Sequence, residues 1–325
     1  MKARNLILGG MLVLSGFVHS ASSADLKGTH LEVDPIRIQL GSGGELITLA
    51  MDRDGNLLAG VMWYANGNKN DKRYGVKKLS PTGALLQTWV LKGQFKPKMI
   101  HGCDDGTVFV GGYGFLASFD AKGKELARID VDVKLGYKAI TAGLYANEKY
   151  VFVAYGEGRS LRATEEIYRF ICDLSGMIKI IDRQYGCCGH IDLEVVAGRL
   201  IVAENSRHRV NVFDYNGKKL SSWGSRDRTG IEGFAACCNP CNTDIAKDGT
   251  IYTFESGVGR VKRYSSTGKY LGFVGFVDTT KFDRGSRVAA QSCYIPGEVS
   301  PDGRRIYVMD VRQHFIRVLE QVRTR

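Results

Sequence analysis

The sequence predicts an all-β fold, a six-bladed β-propeller, and three observations support this prediction. The chain repeats a unit of about fifty residues in which a tight turn precedes an apolar run, and a period of this length with several strands per unit is typical of propellers. It contains 40 glycines but only 6 prolines, as expected for a chain that turns sharply and often. No long amphipathic helix is evident in the sequence.

Six units can be recognised by the turn that introduces their second strand. Each turn is followed by a short apolar run that predicts a β-strand. These runs comprise residues 56–59, 107–110, 149–153, 199–202, 250–252 and 304–308. In the first five units a second, glycine-containing turn lies between two further strand-like runs. The second turns are Thr82-Gly83, Lys122-Gly123, Ser175-Gly176, Asn216-Gly217 and Thr267-Gly268.

The last two features of the repeat concern one turn and the closure of the ring. Asn216-Gly217 is expected to form a two-residue hairpin turn, because this dipeptide tolerates the positive φ angles that such turns need. The last unit provides only about three strands before the sequence ends. Residues 36–40 resemble the outer strands of other units, such as residues 270–275. We therefore expect an N-terminal strand over residues 36–40 to complete the sixth blade, which removes an exposed strand edge.

The first 24 residues predict a secretory signal peptide. Met1-Lys2-Ala3-Arg4 is a positive start, residues 6–18 form an apolar run, and small residues precede a cut after Ala24. The apolar run is shorter than the ~20 residues that span a bilayer, so a membrane anchor fits less well. Residues 25–325 are then one propeller domain, expected to be periplasmic or extracellular, monomeric and without a transmembrane span. The absence of an Arg-Arg pair before the run predicts translocation as an unfolded chain.

The charge of the chain indicates a class of partner. The formal net charge is +11, and it falls to +9 when Lys2 and Arg4 leave with the signal peptide. A basic exported protein is expected to meet acidic partners, either a protein or an anionic component of the cell envelope. Simple solubility explains the charge equally well. Nucleic acid is excluded as a partner, because the chain is predicted to be exported and carries no motif that binds DNA or RNA.

A segment in the C-terminal half resembles the NHL-repeat family. It runs Ala203-Glu204-Asn205-Ser206-Arg207-His208-Arg209-Val210-Asn211-Val212-Phe213-Asp214, and NHL units similarly pass from a strand through a polar turn ending His-Arg-Val into a strand closed by Phe-Asp. Residues 309–319 and 255–264 are looser copies. The resemblance implies an NHL-type propeller. It leaves the function open, because NHL propellers serve enzymes and scaffolds alike.

Cysteine groups recur at one phase of the repeat in three consecutive units. Each group directly precedes the predicted innermost strand of its unit, and equal phase in a ring of repeats means equal height on one face. Six of the eight cysteines should therefore gather on one rim, together with one histidine. The residues of this predicted metal site are Cys187, Cys188, His190, Cys237, Cys238, Cys241 and Cys293.

Two kinds of chemistry suit this rim, and the sequence leaves both open. An even number of cysteines in an exported chain favours disulfides between neighbouring blades, and a vicinal disulfide would be easily reduced. Thiolates beside a histidine instead favour a transition metal, either zinc or copper, and Cys238-x-x-Cys241 has ligand spacing. An iron–sulfur cluster fits less well, because such clusters are inserted before export and this chain is predicted to cross unfolded.

Other polar residues are assigned by their place in the repeat. Cys103 ends an innermost strand and is expected at the far end of the channel, whereas Cys172 is expected to be a buried thiol in a strand. Three carboxylates alternate toward the channel on predicted innermost strands, and they are Asp192, Glu194 and Asp244.

The remaining histidines are weaker candidates for metal ligands. His208 and His314 occupy the turn position of the repeat and are expected to brace their turns. His30 precedes the first strand and is expected to be solvated. His101 ranks second to His190 as a possible ligand.

The predicted function is a binding module whose cysteine-lined rim is either stapled by disulfides or loaded with metal. The alternative is a metal- or thiol-dependent enzyme, a lyase or an oxidoreductase, with its site at that rim, and a pure scaffold is the third possibility. The sequence contains no nucleophile elbow, phosphate-binding loop or haem attachment motif. Residues 63–75 and 155–166 are polar insertions between second and third strands. Loops on a rigid scaffold often carry function, and they are equally often places where insertions are tolerated without one.

Overall fold

The computed structural model describes residues 27–93, 95–157, 164–235, 238–277 and 295–322. Within these ranges, 24 strands form six four-stranded antiparallel sheets. The innermost strands of successive sheets contact one another, and the innermost strand of the last sheet contacts that of the first. The six sheets are therefore the blades of a closed propeller, as the sequence predicts.

The strands are numbered in chain order, and each blade is described from its innermost strand outwards. Blade 1 consists of β2 (Glu45–Met51), β3 (Leu57–Tyr64), β4 (Lys72–Leu79) and β5 (Leu85–Val90). Blade 2 consists of β6 (Pro97–Gly102), β7 (Val108–Gly112), β8 (Phe115–Phe119) and β9 (Glu125–Asp130). Blade 3 consists of β10 (Ile140–Ala146), β11 (Tyr150–Gly156), β12 (Glu165–Ile171) and β13 (Ile178–Gln184).

The last three blades have the same order. Blade 4 consists of β14 (Asp192–Val196), β15 (Arg199–Glu204), β16 (Arg209–Phe213) and β17 (Lys219–Trp223). Blade 5 consists of β18 (Asn242–Ile245), β19 (Ile251–Glu255), β20 (Arg260–Tyr264) and β21 (Tyr270–Phe276). Blade 6 consists of β22 (Gly297–Val299), β23 (Arg305–Asp310), β24 (Phe315–Gln321) and β1 (His30–Arg37).

Helical structure in the described ranges is confined to short turns. Two 3₁₀ turns cover Ala65–Gly67 and Asn205–Arg207, and α1 covers Val131–Leu135. None of these segments has the length and apolar character needed to cross a bilayer.

The N-terminal strand β1 is the outermost strand of blade 6 and pairs antiparallel with β24. It begins at His30, so that only Ile36 and Arg37 of the predicted residues 36–40 belong to it. The strand therefore begins and ends earlier than predicted, and it continues through Pro35, which lacks an amide hydrogen for the ladder. The strand accommodates this proline at a register shift between Val33 and Ile36, which an outer strand tolerates because one of its edges is unpaired.

The core lies between neighbouring blades, and blade 4 shows how the sequence builds it. Leu200, Ile201 and Val202 on β15 are fully buried. Alternate side chains of a strand point to opposite faces, so Leu200 and Val202 pack with Phe152 of blade 3. Ile201 packs with Tyr264 of blade 5. Because second strands are covered on both faces, they appear in the sequence as continuous apolar runs.

The alternating strand directions divide the connections between two faces of the ring. Turns from the first to the second strand and from the third to the fourth lie on one face, which we call the turn face. Turns from the second to the third strand and the connections between blades lie on the opposite face. We call it the cysteine face, because its connections contain Cys187, Cys188 and Cys238.

The two predicted insertions lie on the cysteine face and are shorter than expected. In blade 1, β3 extends to Tyr64 and β4 begins at Lys72, so most of residues 63–75 belongs to the two strands. In blade 3, β11 ends at Gly156 and β12 begins at Glu165. The centre of that second insertion lies outside the described residues.

The turn at Asn216-Gly217 differs from the predicted two-residue type. Asp214 N donates to Lys218 O at 3.0 Å, and Gly217 N donates to Asp214 O at 3.1 Å. Only Gly217 has a positive φ, of 85°. Asp214 Oδ1 accepts from the amides of Asn216 and Lys218, which stabilises the longer turn. The turn therefore depends on the glycine, and the Asn216 side chain is available to bind elsewhere.

We expect Gly217→Ala to lower the free energy of unfolding by about 2 kcal/mol or more, because an L-residue is disfavoured at positive φ. An added Cβ would also lie 1.9 Å from Ile180 O. Asn216→Ala is the matched control and should cost less than about 1 kcal/mol, since it removes one exposed hydrogen bond to Arg169. Chemical denaturation measures both variants, and equal losses would contradict this description of the turn.

Candidate metal centre

The first cysteine pair lies in the connection between β13 and β14, on the cysteine face. Residues 187–190 form a tight turn in which His190 N donates to Cys187 O at 3.2 Å. The two central residues, Cys188 and Gly189, have φ angles of 58° and 71°. Glycine adopts this left-handed region at no steric cost, whereas for cysteine it costs about 1 kcal/mol.

Buried polar side chains attach this connection to the blades around it. Asn205 Oδ1 accepts from Cys187 N at 2.7 Å, and Asn205 Nδ2 donates to His190 O at 3.1 Å. Glu165 Oε2 accepts from Gly186 N at 2.7 Å. Asn205 and Glu165 are each only 1% exposed. Neither residue was predicted from the sequence to belong to the site. The available signal was their position, since β12 begins at Glu165 and Asn205 directly follows β15 on the cysteine face.

The connection between β17 and β18 is attached in a similar way. Cys238 in this connection also has a positive φ, of 66°. The neighbouring Asn239 is fully buried, and its Oδ1 accepts from Ser256 N at 2.7 Å while its Nδ2 donates to Ser256 O at 3.1 Å. The Asn239 side chain also donates to Ala235 O, and the amide of Ala235 in turn donates to Glu255 Oε2 at 3.0 Å. Both cysteine connections are thus tied to the turn between the second and third strands of their own blade.

The two connections bring three thiols together. The sulfur atoms of Cys187, Cys188 and Cys238 all lie within 4.8 Å of one another. The sulfurs of Cys187 and Cys188 are 3.7 Å apart, well beyond the ~2.05 Å of a disulfide. Sulfurs bound at ~2.3 Å to one tetrahedral ion would be about 3.8 Å apart. The predicted convergence of cysteines from adjacent blades is confirmed for blades 4 and 5, and the spacing suits ligands of one ion.

The predicted disulfides are not found in the part of the chain that the structure describes, where no two cysteines are bonded to each other. Cys237 and Cys293, the other two cysteines of the predicted rim, lie outside the described residues. The predicted participation of blade 6 in a shared site therefore stays a prediction.

Cys241 does not belong to the thiol group. It is 1% exposed and lies in an apolar cluster with residues of blades 5 and 6. Its Sγ donates to Phe254 O at 3.1 Å. Burial raises the pKa of the Cys241 thiol to about 12, so it is neutral at physiological pH. The Cys238-x-x-Cys241 spacing therefore does not describe one binding unit, because residue 241 has already turned into the core.

His190 is near the thiols, but its ring contacts a lysine. Lys98 Nζ, on the innermost strand of blade 2, lies 2.9 Å from His190 Nε2 and 3.3 Å from Nδ1. Burial lowers the pKa of Lys98 to about 7, and the positive charge of Lys96 acts in the same direction, whereas Cys188 and Glu165 oppose it. Burial raises the pKa of Glu165 to about 7. Lys98 was not predicted from the sequence, and its contact competes with the ligand role predicted for His190.

The other histidines have structural roles. His30 is 4% exposed, and its Nε2 lies 2.9 Å from Gly303 O. The prediction that it is solvated was wrong, because β1 begins at this residue and packs it against blade 6. His208 and His314 have φ angles of 55° and 53° at their turns, and His314 Nδ1 accepts from Leu46 N at 3.3 Å in the neighbouring blade.

The remaining two cysteines lie on the turn face, away from the thiol group. Cys103 is 4% exposed and lines the channel, as predicted. Cys172 follows β12 instead of lying within it and is only partly buried. Its Sγ donates to Asn147 O at 3.2 Å. Both are free thiols, which makes them useful controls for the cysteine face.

The central channel contains a second group of polar residues. A cavity of about 610 Å³ lies between the innermost strands and the turns of the turn face. His101 and Tyr145, from blades 2 and 3, line it with ring centroids 4.4 Å apart and ring planes tilted by 51°. Burial lowers the pKa of His101 to about 4. Four carboxylates from blades 4, 5 and 6 line the cavity, and they are Asp192, Glu194, Asp244 and Glu298. Glu298 was not predicted from the sequence, because β22 is too short to show alternation.

All four carboxylates are affected by burial, and two of them also bridge neighbouring innermost strands. Asp192 Oδ2 accepts from the amide and hydroxyl of Thr243, both at 2.6 Å, and Asp244 Oδ2 accepts from Val299 N at 2.5 Å. Each of these bonds fastens one innermost strand to the next. Burial raises the pKa of Glu194 and of Glu298 well above the usual range, and the charges of Asp192 and Asp244 add to the effect. Burial also raises the pKa of Asp192 to about 7 and that of Asp244 to about 6, so all four carboxylates bind protons more tightly in the folded ring.

Comparison with known proteins shows the fold alone. No protein-family model and no curated protein matches this sequence. A solved structure of regucalcin from Agrobacterium tumefaciens, described as a calcium-binding protein, is 14% identical, covers 92% of this chain and 96% of its own, and has a TM-score of 0.52. A protein of unknown function from Bacteroides thetaiotaomicron is 14% identical, with coverages of 89% and 75% and a TM-score of 0.60. Likeness at this identity supports a propeller, and the NHL assignment remains a resemblance.

We expect the contribution of Glu194 and Glu298 to stability to fall as pH rises above about 4.3, the ordinary pKa of a glutamate, because the folded protein keeps protons on these residues that the unfolded chain releases. Each unit of raised pKa is worth about 1.4 kcal/mol. Glu194→Gln should therefore match the wild type near pH 4 and exceed its unfolding free energy near pH 8. Chemical denaturation of the wild type and Glu194→Gln between pH 4 and pH 8 measures this difference in unfolding free energy, and the exposed Glu148→Gln is the control. Parallel pH profiles for wild type and Glu194→Gln would contradict the assignment.

Proposed function

We propose that this chain is an exported propeller that binds a thiophilic transition-metal ion on its cysteine face, through Cys187, Cys188 and Cys238. The observation that carries the proposal is the spacing of the three sulfur atoms, all within 4.8 Å of one another. This spacing suits ligands of one ion and is too long for a disulfide. Because the ligands come from two blade connections, the site is complete only when blades 4 and 5 are assembled.

The chemistry of the ligands selects the class of metal. Thiolates are soft ligands that favour zinc and copper(I), whereas calcium and magnesium take oxygen ligands. The calcium binding stated for the regucalcin structure therefore has no counterpart in the thiol group. If the chain crosses the membrane unfolded, as its signal predicts, the ion is acquired after export. The partial exposure of Cys187 and Cys188 provides access to the site from solvent.

The backbone at the thiols supports a functional role for them. Cys188 and Cys238 both adopt left-handed φ angles, which glycine would adopt with less strain. Strain of this kind is concentrated at functional sites, where the side chain is needed in spite of its cost.

A metal-dependent enzyme is the second candidate, and the contacts around the thiols favour it specifically. Lys98 and Glu165 have pKa values shifted to about 7, and titratable groups with shifted pKa values are concentrated at catalytic sites. An enzyme also needs an open coordination position on the ion. Perturbation of the bound cobalt(II) spectrum by added azide would show such a position, whereas an unchanged spectrum would favour the binding module.

The proposed partner follows from the charge of the chain. The net charge of +11, which becomes +9 when Lys2 and Arg4 leave with the signal peptide, favours an acidic protein or an anionic component of the cell envelope. The attraction would weaken with salt, because exposed charges are screened within about 8 Å at physiological ionic strength. We place this partner outside the ring, because the channel itself carries carboxylates.

We expect the reduced, metal-free protein to bind one zinc or copper(I) ion per chain. With cobalt(II) as a substitute, the protein should show an intense sulfur-to-cobalt charge-transfer band. Cys188→Ser should abolish tight binding and the band, because one of three thiolates is removed. Cys172→Ser, which replaces a free thiol on the turn face, is the matched control and should bind as the wild type does. Wild-type protein that binds no ion, or Cys188→Ser protein that binds as tightly, would overturn the proposed function.

We also expect Cys188→Gly to separate function from stability. Glycine relieves the left-handed backbone, so the metal-free variant should be more stable to denaturant by about 1 kcal/mol while it loses the ion. A cysteine kept for a structural staple would behave in the opposite way, and its replacement would destabilise the metal-free protein. Denaturation and metal titration on the same preparation distinguish the two outcomes.

A further inference from the structure

We infer that Asn205 is a positioning residue, which holds Cys187 and Cys188 at ligand spacing before any ion binds. The inference rests on the proposed function and adds a residue that the thiol chemistry alone does not identify. It is carried by the hydrogen bonds of a single buried amide to both ends of the cysteine turn.

The turn at residues 187–190 has two backbone groups that its own hydrogen bond leaves unused. His190 N and Cys187 O bind each other, so that Cys187 N and His190 O remain. Asn205 satisfies both, with its Oδ1 2.7 Å from Cys187 N and its Nδ2 3.1 Å from His190 O. An asparagine side chain offers one acceptor and two donors on the same planar group. It therefore acts on the turn much as a neighbouring strand would.

The position of Asn205 is itself fixed by the blade. It is 1% exposed and directly follows β15, whose residues Val202 and Ala203 are fully buried. The next residue, Ser206, donates from its hydroxyl to Tyr185 O at 2.6 Å, just before the cysteine turn. The cysteine turn is thus anchored to the most deeply buried strand of blade 4.

Loss of this contact should affect the thiols more than the fold. Without Asn205, Cys187 N and His190 O would lose the two hydrogen bonds that join the turn to the end of β15, while the 3.2 Å bond across the turn and the bond of Gly186 to Glu165 would remain. The turn could then relax, and the ion would have to reassemble its ligands as it binds. Residues that orient metal ligands in this way typically change metal affinity by about 10–100-fold when they are replaced.

Asn211 provides a matched control in the same blade. It is also 1% exposed, and its side chain binds Gln184 Oε1 at 2.9 Å, Glu204 Oε2 at 3.0 Å and Ser222 Oγ at 2.9 Å. None of these partners belongs to the cysteine turn. Asn211→Ala therefore removes a similar buried amide and should reduce stability without changing the spacing of the thiols.

The test compares Asn205→Ala and Asn211→Ala in the full chain by zinc and cobalt(II) titration, by the cobalt charge-transfer spectrum and by hydrogen exchange of the Cys187 amide without metal. Asn205→Ala should weaken binding about 10–100-fold, alter the charge-transfer band and expose the Cys187 amide to exchange. Asn211→Ala should leave all three unchanged. If Asn205→Ala does not fold, Asn205→Asp replaces it, since it keeps the acceptor for Cys187 N and loses the donor for His190 O, and it should also weaken binding.

The outcomes separate this inference from the proposed function. Equal losses of affinity in the two alanine variants, or unchanged affinity in Asn205→Ala, would show that Asn205 has only a structural role. If the wild-type protein binds no ion, the proposed function fails, and the exchange of the Cys187 amide still decides whether Asn205 holds the turn. Unchanged exchange in Asn205→Ala would overturn the inference in that case as well.

Discussion

Each blade contains an even number of antiparallel strands, and the site depends on this constraint. After four strands the chain has returned to the face from which it entered the blade, so every connection to the next blade lies on one face. A blade of three strands would place the following connection on the opposite face. Cys188 and Cys238 lie far apart in the sequence and meet because both precede an innermost strand. Whether these two thiols can meet therefore depends on the number of strands in each blade as well as on the local sequence.

The alternation of strands and turns can be recognised in the sequence alone. This explains why the six blades could be predicted. Turn glycines need a backbone conformation that other residues disfavour, so the six units are visible in the sequence. Phase within the unit then placed Cys187, Cys188 and Cys238 on a common face. The type of the turn at Asn216 could not be predicted in the same way, because it depends on Asp214 accepting two amides rather than on the dipeptide alone.

Interactions between distant segments account for what the sequence did not reveal. Asn205 and Lys98 have ordinary neighbours in sequence, and their importance comes from groups that the closed ring brings to them. His30 was misjudged for the same reason, since the carbonyl of Gly303 that it contacts lies at the other end of the chain. Cys241 shares a spacing motif with Cys238, but the chain between them turns it into the core. Sequence patterns predict periodic features well, and they are silent on such single, non-local contacts.

The place of β1 in blade 6 has a mechanical consequence. His30 at its start lies opposite Gln321 at the end of β24, and the two strands run antiparallel from there. A force applied through these two residues would load the ladder at one end and open its hydrogen bonds one after another, as in unzipping. The ladder would not be sheared, with all its bonds resisting together. Under tension the ring would therefore yield first at blade 6, on the side that joins the two ends of the described chain.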